Sequence, residues 1–356
     1  MARKSLVRQT MHYFARPHTA VRRTPLSGPA AWRGEDLRER GDWRHRLSAT
    51  QIAEIDRALA KTAGRPLAEL EREDFPLPSL AGDLASFRDE LARGRGFLVI
   101  SGAPVERWSQ TEAERFFWCL GLHLGVPGAQ DPEGSLLGHV RDEGVALTDP
   151  SVRRYRTREN IAFHCDTADV VGLLCLRKAR AGGLSRIVSS VAVYNELLRR
   201  APHRVDRLYQ PFLLDTHGQG GIRAVPVPPC RYADGALRTF YHADYFRSIE
   251  RHHDLPQLSE DDRDLLDLYE AIANDPALHL DMDLAPGDVQ LLSNHVVLHA
   301  RTGYEDDPNE PGRHLLRLWL SLPGPASLRL RALTRLSWLS FVQRLVVERA
   351  RGLRAA

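Results

Sequence analysis

After about residue 160 the chain breaks into short apolar runs of β type: Val170 to Leu176, Arg186 to Ser190, Val289 to Ser293 and Leu315 to Leu322. Helical patterns interrupt them only at about 191 to 200 and 260 to 273. A doubly wound parallel sheet needs a steady strand–helix–strand rhythm, because each parallel crossover is made by a helix. That rhythm is missing. The pattern predicts a β-sandwich or jelly roll decorated with helices. With 356 residues and 43% hydrophobic content the chain can bury a substantial core. Its longest apolar run is strand-sized, well short of the roughly 20 residues that span a bilayer.

The first part of the chain reads as helical. Ser48 with Gln51 forms a capping box, and Ile52, Ile55 and Leu59 then recur at helical spacing. A second helix carries Leu84, Phe87 and Leu91, and a glycine-bounded strand follows from Gly96 to Gly102. Ser109 with Glu112 opens a third helix holding Phe116, Phe117 and Leu120, which Gly125 stops. Residues 1 to about 45, rich in Arg, Pro and Gly, read as an extended surface arm. The arm lacks the apolar stretch of a secretory signal, and although it is free of acidic residues until Glu35, it lacks the amphipathic period of a transit peptide. The expected division is an arm and helix over 1–65, a catalytic domain over 66–325 and a basic helix over 326–356. That last helix, with Leu330, Leu333, Leu336, Leu339 and Val342, is expected to pack on the domain or on a second subunit of a homo-oligomer rather than on a membrane.

Basic and acidic residues nearly cancel, 49 against 46, and only 7% of residues are aromatic. This gives no basic groove with stacking aromatics and argues against a nucleic-acid partner. Cys119, Cys165, Cys175 and Cys230 are scattered without a CxxC pair, as expected in a reducing cytoplasm.

The strongest local chemical signal is Phe163-His164-Cys165-Asp166. In an extended segment, residues two apart share a face, so His164 and Asp166 can hold one ion together. A third ligand must come from elsewhere, and Asn294-His295-Val296-Val297-Leu298-His299 offers two histidines. Two histidines and one carboxylate on one face of an octahedral ion make the facial triad of non-haem Fe(II) oxygenases. By itself His-x-Asp is weak, since a chain with 15 histidines makes such pairs by chance. It gains weight from Arg313 and Arg317, which in a strand share one face while Leu316, Leu318 and Leu320 pack on the other. Arginines on an otherwise apolar strand call for an anion, and a dicarboxylate would supply one through bidentate contacts.

On these residues the sequence resembles the taurine dioxygenase-like superfamily of Fe(II)/2-oxoglutarate-dependent oxygenases, over about residues 80 to 325. The matching features are His164 and Asp166, the turn Gly182-Gly183-Leu184-Ser185, Asn294 with His299, and Arg313 with Arg317. The resemblance implies a mainly β fold with flanking helices, the double-stranded β-helix or jelly roll of the clavaminate synthase-like kind. It also implies Fe(II), 2-oxoglutarate as cosubstrate and dioxygen. It favours His299 over His295 as third ligand, assigns the distal carboxylate of 2-oxoglutarate to Arg313 and Ser185, and gives Arg317 to the cosubstrate or to an anionic group on the substrate. Asn160 matches a substrate-contacting position. Asp166, being a carboxylate, argues against halogenation. The segment near Gln130 lacks the His and Tyr that grip a sulfonate, so taurine itself is not the expected substrate.

The implied activity is hydroxylation of an unactivated C–H bond in a small molecule, an amino acid or a specialised-metabolite intermediate, with release of succinate and CO2. Desaturation or ring closure is the alternative outcome of the same chemistry. Substrate contacts are expected from residues 215 to 253, with Tyr241 and Tyr245 foremost, under a glycine-rich lid at Gly218, Gly220 and Gly221. Asp169 is a candidate for a substrate amine, whereas His139 reads as structural. A zinc hydrolase built on the same three ligands would leave Arg313 and Ser185 without purpose, and a non-catalytic metal-binding jelly roll is the remaining rival.

Overall fold

The computed structural model describes residues 5–131, 133–145, 154–217 and 222–322. The expected basic helix at 326–356 and the glycines at 218, 220 and 221 lie outside the described residues.

A seven-stranded sheet runs in the order Arg44–Arg46, Phe97–Ser101, Val289–Ser293, Val170–Arg177, His314–Ser321 and Val126–Gly128, with Leu137–Val140 also pairing to His314–Ser321. A four-stranded sheet runs in the order His279–Met282, Ser185–Ser189, Val297–Arg301 and Ile161–His164. Apart from the first pair, which is parallel, both sheets are antiparallel. Phe97, Val171, Leu315 and Trp319 of the large sheet share one core cluster with Ile187, Leu280 and Val297 of the small one. The two sheets therefore bury their inner faces against each other, as a jelly roll does.

The outer face of the large sheet is covered by helices. Ala49–Thr62 and Gln110–Leu124 start at Ser48 and Ser109, both with full capping boxes. Together with Ala81–Arg93 they pack Ile55, Leu84, Phe116 and Phe117 onto Leu174, Leu291 and Leu318. The small sheet is backed by Ser190–Arg200 and Glu260–Ala273, whose Leu197, Leu266 and Tyr269 belong to a second core. All four cysteines are free and buried. Among the described residues no helix is long and apolar enough to cross a membrane.

The N-terminal arm departs from expectation. It forms a helix, Leu6–Phe14, capped by Ser5, and then threads across the domain with Tyr13, Trp32 and Leu37 buried. It ends as the Arg44–Arg46 strand on the edge of the large sheet. The helix was hidden because polar Gln9, fully buried, occupies the centre of its inner face.

Leu291 lies at the seam between the large sheet and its helices, beside Gly172 and Phe117. Leu291→Ala should lower stability by about 2–5 kcal/mol, measured by urea unfolding. A loss well below 1 kcal/mol would show that this seam is not close-packed.

Candidate active site

Two strands and the turn that follows one of them bring the metal-type donors together. His299 sits in Val297–Arg301 directly opposite His164 of Ile161–His164, and the two imidazole centroids are 4.2 Å apart. Asp166 follows in the turn after that strand, its Oδ2 3.7 Å from His299 Nε2. Donor atoms of His164, Asp166 and His299 all lie within 4.8 Å of one another. His164 Nδ1 donates to the Ala162 carbonyl at 2.9 Å, which leaves Nε2 as the ring nitrogen available to a metal. Burial, reinforced by the neighbouring His164, pushes the His299 pKa down to about 3, so the ring is neutral at pH 7. Its buried Nδ1 has no hydrogen-bond partner among the described residues.

Asp166 is pinned from several sides. Its backbone N–H donates to Asn294 Oδ1 at 3.1 Å, and Asn294 Nδ2 donates to the Ala168 carbonyl at 2.9 Å, so one amide spans the whole turn. Trp319 Nε1 donates to Asp166 Oδ2 at 2.9 Å. Burial disfavours the Asp166 charge, yet Arg317, the two imidazoles and the indole together hold the carboxyl below its usual range. Two imidazoles and one carboxylate, already gathered into one cluster, fit a divalent ion of the iron type.

The triad opens into a cavity between the two sheets. Arg301, Arg313 and Arg317 all line it, each at most 9% exposed. None of the three is within ion-pair distance of a carboxylate among the described residues. Arg313 Nη2 donates to the Gly183 carbonyl at 3.3 Å, and its buried Nη1 has no partner among the described residues. Arg301 Nη2 donates to the carbonyls of Thr157, at 2.8 Å, and Glu159, while its buried Nε and Nη1 have no partner among the described residues. Both guanidiniums flank the Tyr304 ring, 4.8 and 5.1 Å from its centroid. Burial and the Arg313 charge bring the Arg301 pKa down to about 10, still charged at neutrality. Arg317 Nε donates to Gln130 Oε1 at 2.7 Å, with its Cζ 4.4 Å from the Tyr155 ring centroid.

Ser185 also lines the cavity, directly opposite Arg301 in the strand register, and donates to Gln290 Oε1 at 2.9 Å. The preceding Gly182-Gly183 turn needs glycine on two counts. Both residues have positive φ, +73° and +71°, and a Cβ on Gly183 would sit 2.9 Å from Arg313 Nε. The turn is what lets Arg313 lie against the backbone.

The sequence-derived substrate residues scatter. Tyr245 stays near the site: it stacks on His242 at 3.8 Å, and His242 lies 5.1 Å from the His164 ring. Asn160 is exposed and does not line the cavity. Tyr241 is fully buried, stacked on Tyr269 with its hydroxyl donating to the Leu266 carbonyl, and does not line the cavity. Asp169 is 1% exposed and takes hydrogen bonds from His12, Arg16, His295 and the Leu322 backbone, so it faces away from the cavity. His295, the other candidate ligand, points the same way, with Nε2 on Asp169 Oδ1 at 2.8 Å. Sequence reasoning missed Arg301, Tyr155, Gln290 and the clamping roles of Gln130 and Trp319. Arg301 was within reach, because it lies two residues beyond His299 and strand alternation puts it on the same face.

The sequence matches the family described as "Taurine catabolism dioxygenase TauD, TfdA family" over residues 63–319. It is 30% identical over 311 residues to the FR-33289 synthase of Streptomyces rubellomurinus, covering 85% of this chain and 92% of that protein. To the taurine hydroxylase-like protein SAT17 of Stachybotrys chartarum it is 28% identical over 309 residues, covering 82% and 79%. Among solved structures, asparagine oxygenase in complex with Fe(II), 2S,3S-3-hydroxyasparagine and succinate superposes with a TM-score of 0.63 at 18% identity, over 78% of this chain and 93% of that one. The chain belongs to the TauD, TfdA family. It is accordingly a jelly-roll oxygenase dependent on Fe(II) and 2-oxoglutarate, with dioxygen as the second cosubstrate.

Asn294→Ala should strip the Asp166 turn of both side-chain bonds and leave buried polar groups unpaired. The expected loss is about 1–3 kcal/mol, read by chemical unfolding of the metal-free protein. An unchanged midpoint would show that the turn is held by its backbone alone.

Proposed function

We propose that the protein hydroxylates an unactivated C–H bond of a small molecule that carries an anionic group, releasing succinate and CO2. The observation that supports this is the charge of the cavity. Three buried guanidiniums and a divalent ion stand against Asp166 and the two carboxylates of 2-oxoglutarate, which leaves two positive charges uncompensated. In a water-poor cavity such an excess favours a substrate that brings negative charge of its own. Phosphate, phosphonate, sulfonate and carboxylate all meet that demand, the last including acidic amino acids and acid intermediates of specialised metabolism. A hydroxylated amino acid in the solved asparagine oxygenase complex is consistent with C–H hydroxylation as the outcome.

The roles follow from position. His164, Asp166 and His299 would hold Fe(II), with Trp319 and Asn294 fixing the carboxylate's direction. Bound there, Fe(II) with 2-oxoglutarate would supply the oxidant, splitting 2-oxoglutarate to succinate and CO2 and delivering one atom of dioxygen to the substrate. Arg313 and Ser185 would take the distal carboxylate, and Arg301, opposite Ser185 and sharing Tyr304 with Arg313, would stand as the second cation at that end. Arg317, beside Asp166 and clamped by Gln130, would meet an anion nearer the metal. The apolar wall of Val140, Val171, Leu173 and Leu315 limits water around the C–H to be oxidised. His242 and Tyr245 would border the substrate from the small-sheet side.

The test is a panel assay with Fe(II), 2-oxoglutarate and air, reading succinate above the substrate-free background. Anion-bearing candidates should raise succinate and gain one oxygen by mass, whereas their neutral amide or ester analogues should do neither. Equal turnover of neutral analogues would defeat the anionic-substrate reading.

A further inference from the structure

The residues behind the triad form a polar layer reached from an unexpected direction. Asp169 closes the same turn that carries Asp166, and its two carboxylate oxygens are fully used. Oδ1 takes hydrogen bonds from Arg16 Nη2 and from His295 Nε2 at 2.8 Å. Oδ2 takes them from His12 Nε2 at 2.9 Å and from the Leu322 N–H at 2.9 Å. Two of these four donors, His12 and Arg16, belong to the N-terminal segment. A third is itself braced by that segment, because the Tyr13 ring stacks on His295 at 4.5 Å with an interplanar angle of 9°.

Tyr13 makes a second link. Its hydroxyl bridges the carbonyls of Asn294, at 2.8 Å, and Thr239, at 3.1 Å. Asn294 is the residue whose side-chain amide spans the Asp166–Ala168 turn, and its backbone N–H bonds the Asp169 carbonyl at 3.0 Å. The N-terminal helix thus grips both ends of the turn, one through Asn294 and the other through Asp169. The matched family region begins only at residue 63, so this grip is made by chain outside it.

We propose that Tyr13 and Arg16 are positioning residues for the iron-binding carboxylate, and that the Leu6–Phe14 helix with Arg16 is a strap that holds the Asp166–Asp169 turn in its ligating shape. The proposal rests on Asp166 being an iron ligand. Removing the strap leaves the three donors in the chain but lets the carboxylate's direction vary. The consequence is weaker metal binding in a protein that is still folded, because partners of metal ligands typically govern affinity by 10–100-fold (order of magnitude).

The experiment measures anaerobic Fe(II) affinity of the full chain by competition with a chromogenic chelator, without 2-oxoglutarate, and thermal unfolding of the same metal-free samples. The variants are Tyr13→Phe, Arg16→Ala, Arg16→Lys and Asp166→Ala. Tyr13→Phe keeps the ring stack and removes only the hydroxyl, so it reports even if Arg16→Ala does not fold. The expected result is roughly tenfold weaker iron binding in Tyr13→Phe and Arg16→Ala, with most of it restored in Arg16→Lys, which can still reach Asp169. Wild-type affinity in Tyr13→Phe and Arg16→Ala, alongside loss in Asp166→Ala, overturns the strap whatever happens to their melting temperatures. Wild-type affinity in Asp166→Ala overturns the ligand assignment and the strap with it.

Discussion

Burying a guanidinium without a carboxylate is costly, and this fold buries three in one cavity. Much of the surrounding architecture serves to hold them there. Arg301 is tied to two backbone carbonyls, Arg313 to a carbonyl freed by a glycine pair, and Arg317 to an amide that is itself anchored to the Arg317 and Leu136 carbonyls. Each anchor fixes the side chain while leaving its charge uncancelled. The cations are held ready for anions, which is the electrostatic counterpart of the open coordination expected of the triad.

The carboxylate faces the opposite problem. Asp166 must stay ionised in a buried place without being captured by an arginine as a salt bridge. Its charge is maintained against burial by the Arg317 guanidinium and the Trp319 indole, while its turn is fixed through Asn294 rather than through its own oxygens. Among the described residues Oδ1 takes no hydrogen bond from a protein donor, while Asp169, three residues on, absorbs four donors. The two aspartates divide the labour of one turn, the first facing the cavity and the second anchoring the turn to the scaffold.

Most of the elements were legible because their signals are local. Capping boxes at Ser48 and Ser109 start helices where expected, and the four apolar runs after residue 160 are strands within a residue or so. Arg313 and Arg317 share the cavity face because strand alternation is a property of the backbone. What failed was whatever depended on partners distant in sequence. Asp169 looked like a substrate residue because it is acidic and near the triad, but its donors come from residues 12, 16, 295 and 322. Tyr241 looked available, yet it is buried against Tyr269, 28 residues further along the chain. The arm looked extended because arginines and prolines dominate its composition, while a few buried side chains decide its path.

The central claim is that the triad and the arginines form one site for Fe(II) and 2-oxoglutarate together. The most direct test is anaerobic reconstitution of the protein with Fe(II) followed by 2-oxoglutarate, watching for the weak visible charge-transfer band of the chelate. The account predicts the band in the wild type and its loss in Arg313→Ala at the same cosubstrate concentration. Iron binding without the band in the wild type, or an undiminished band in Arg313→Ala, would contradict it.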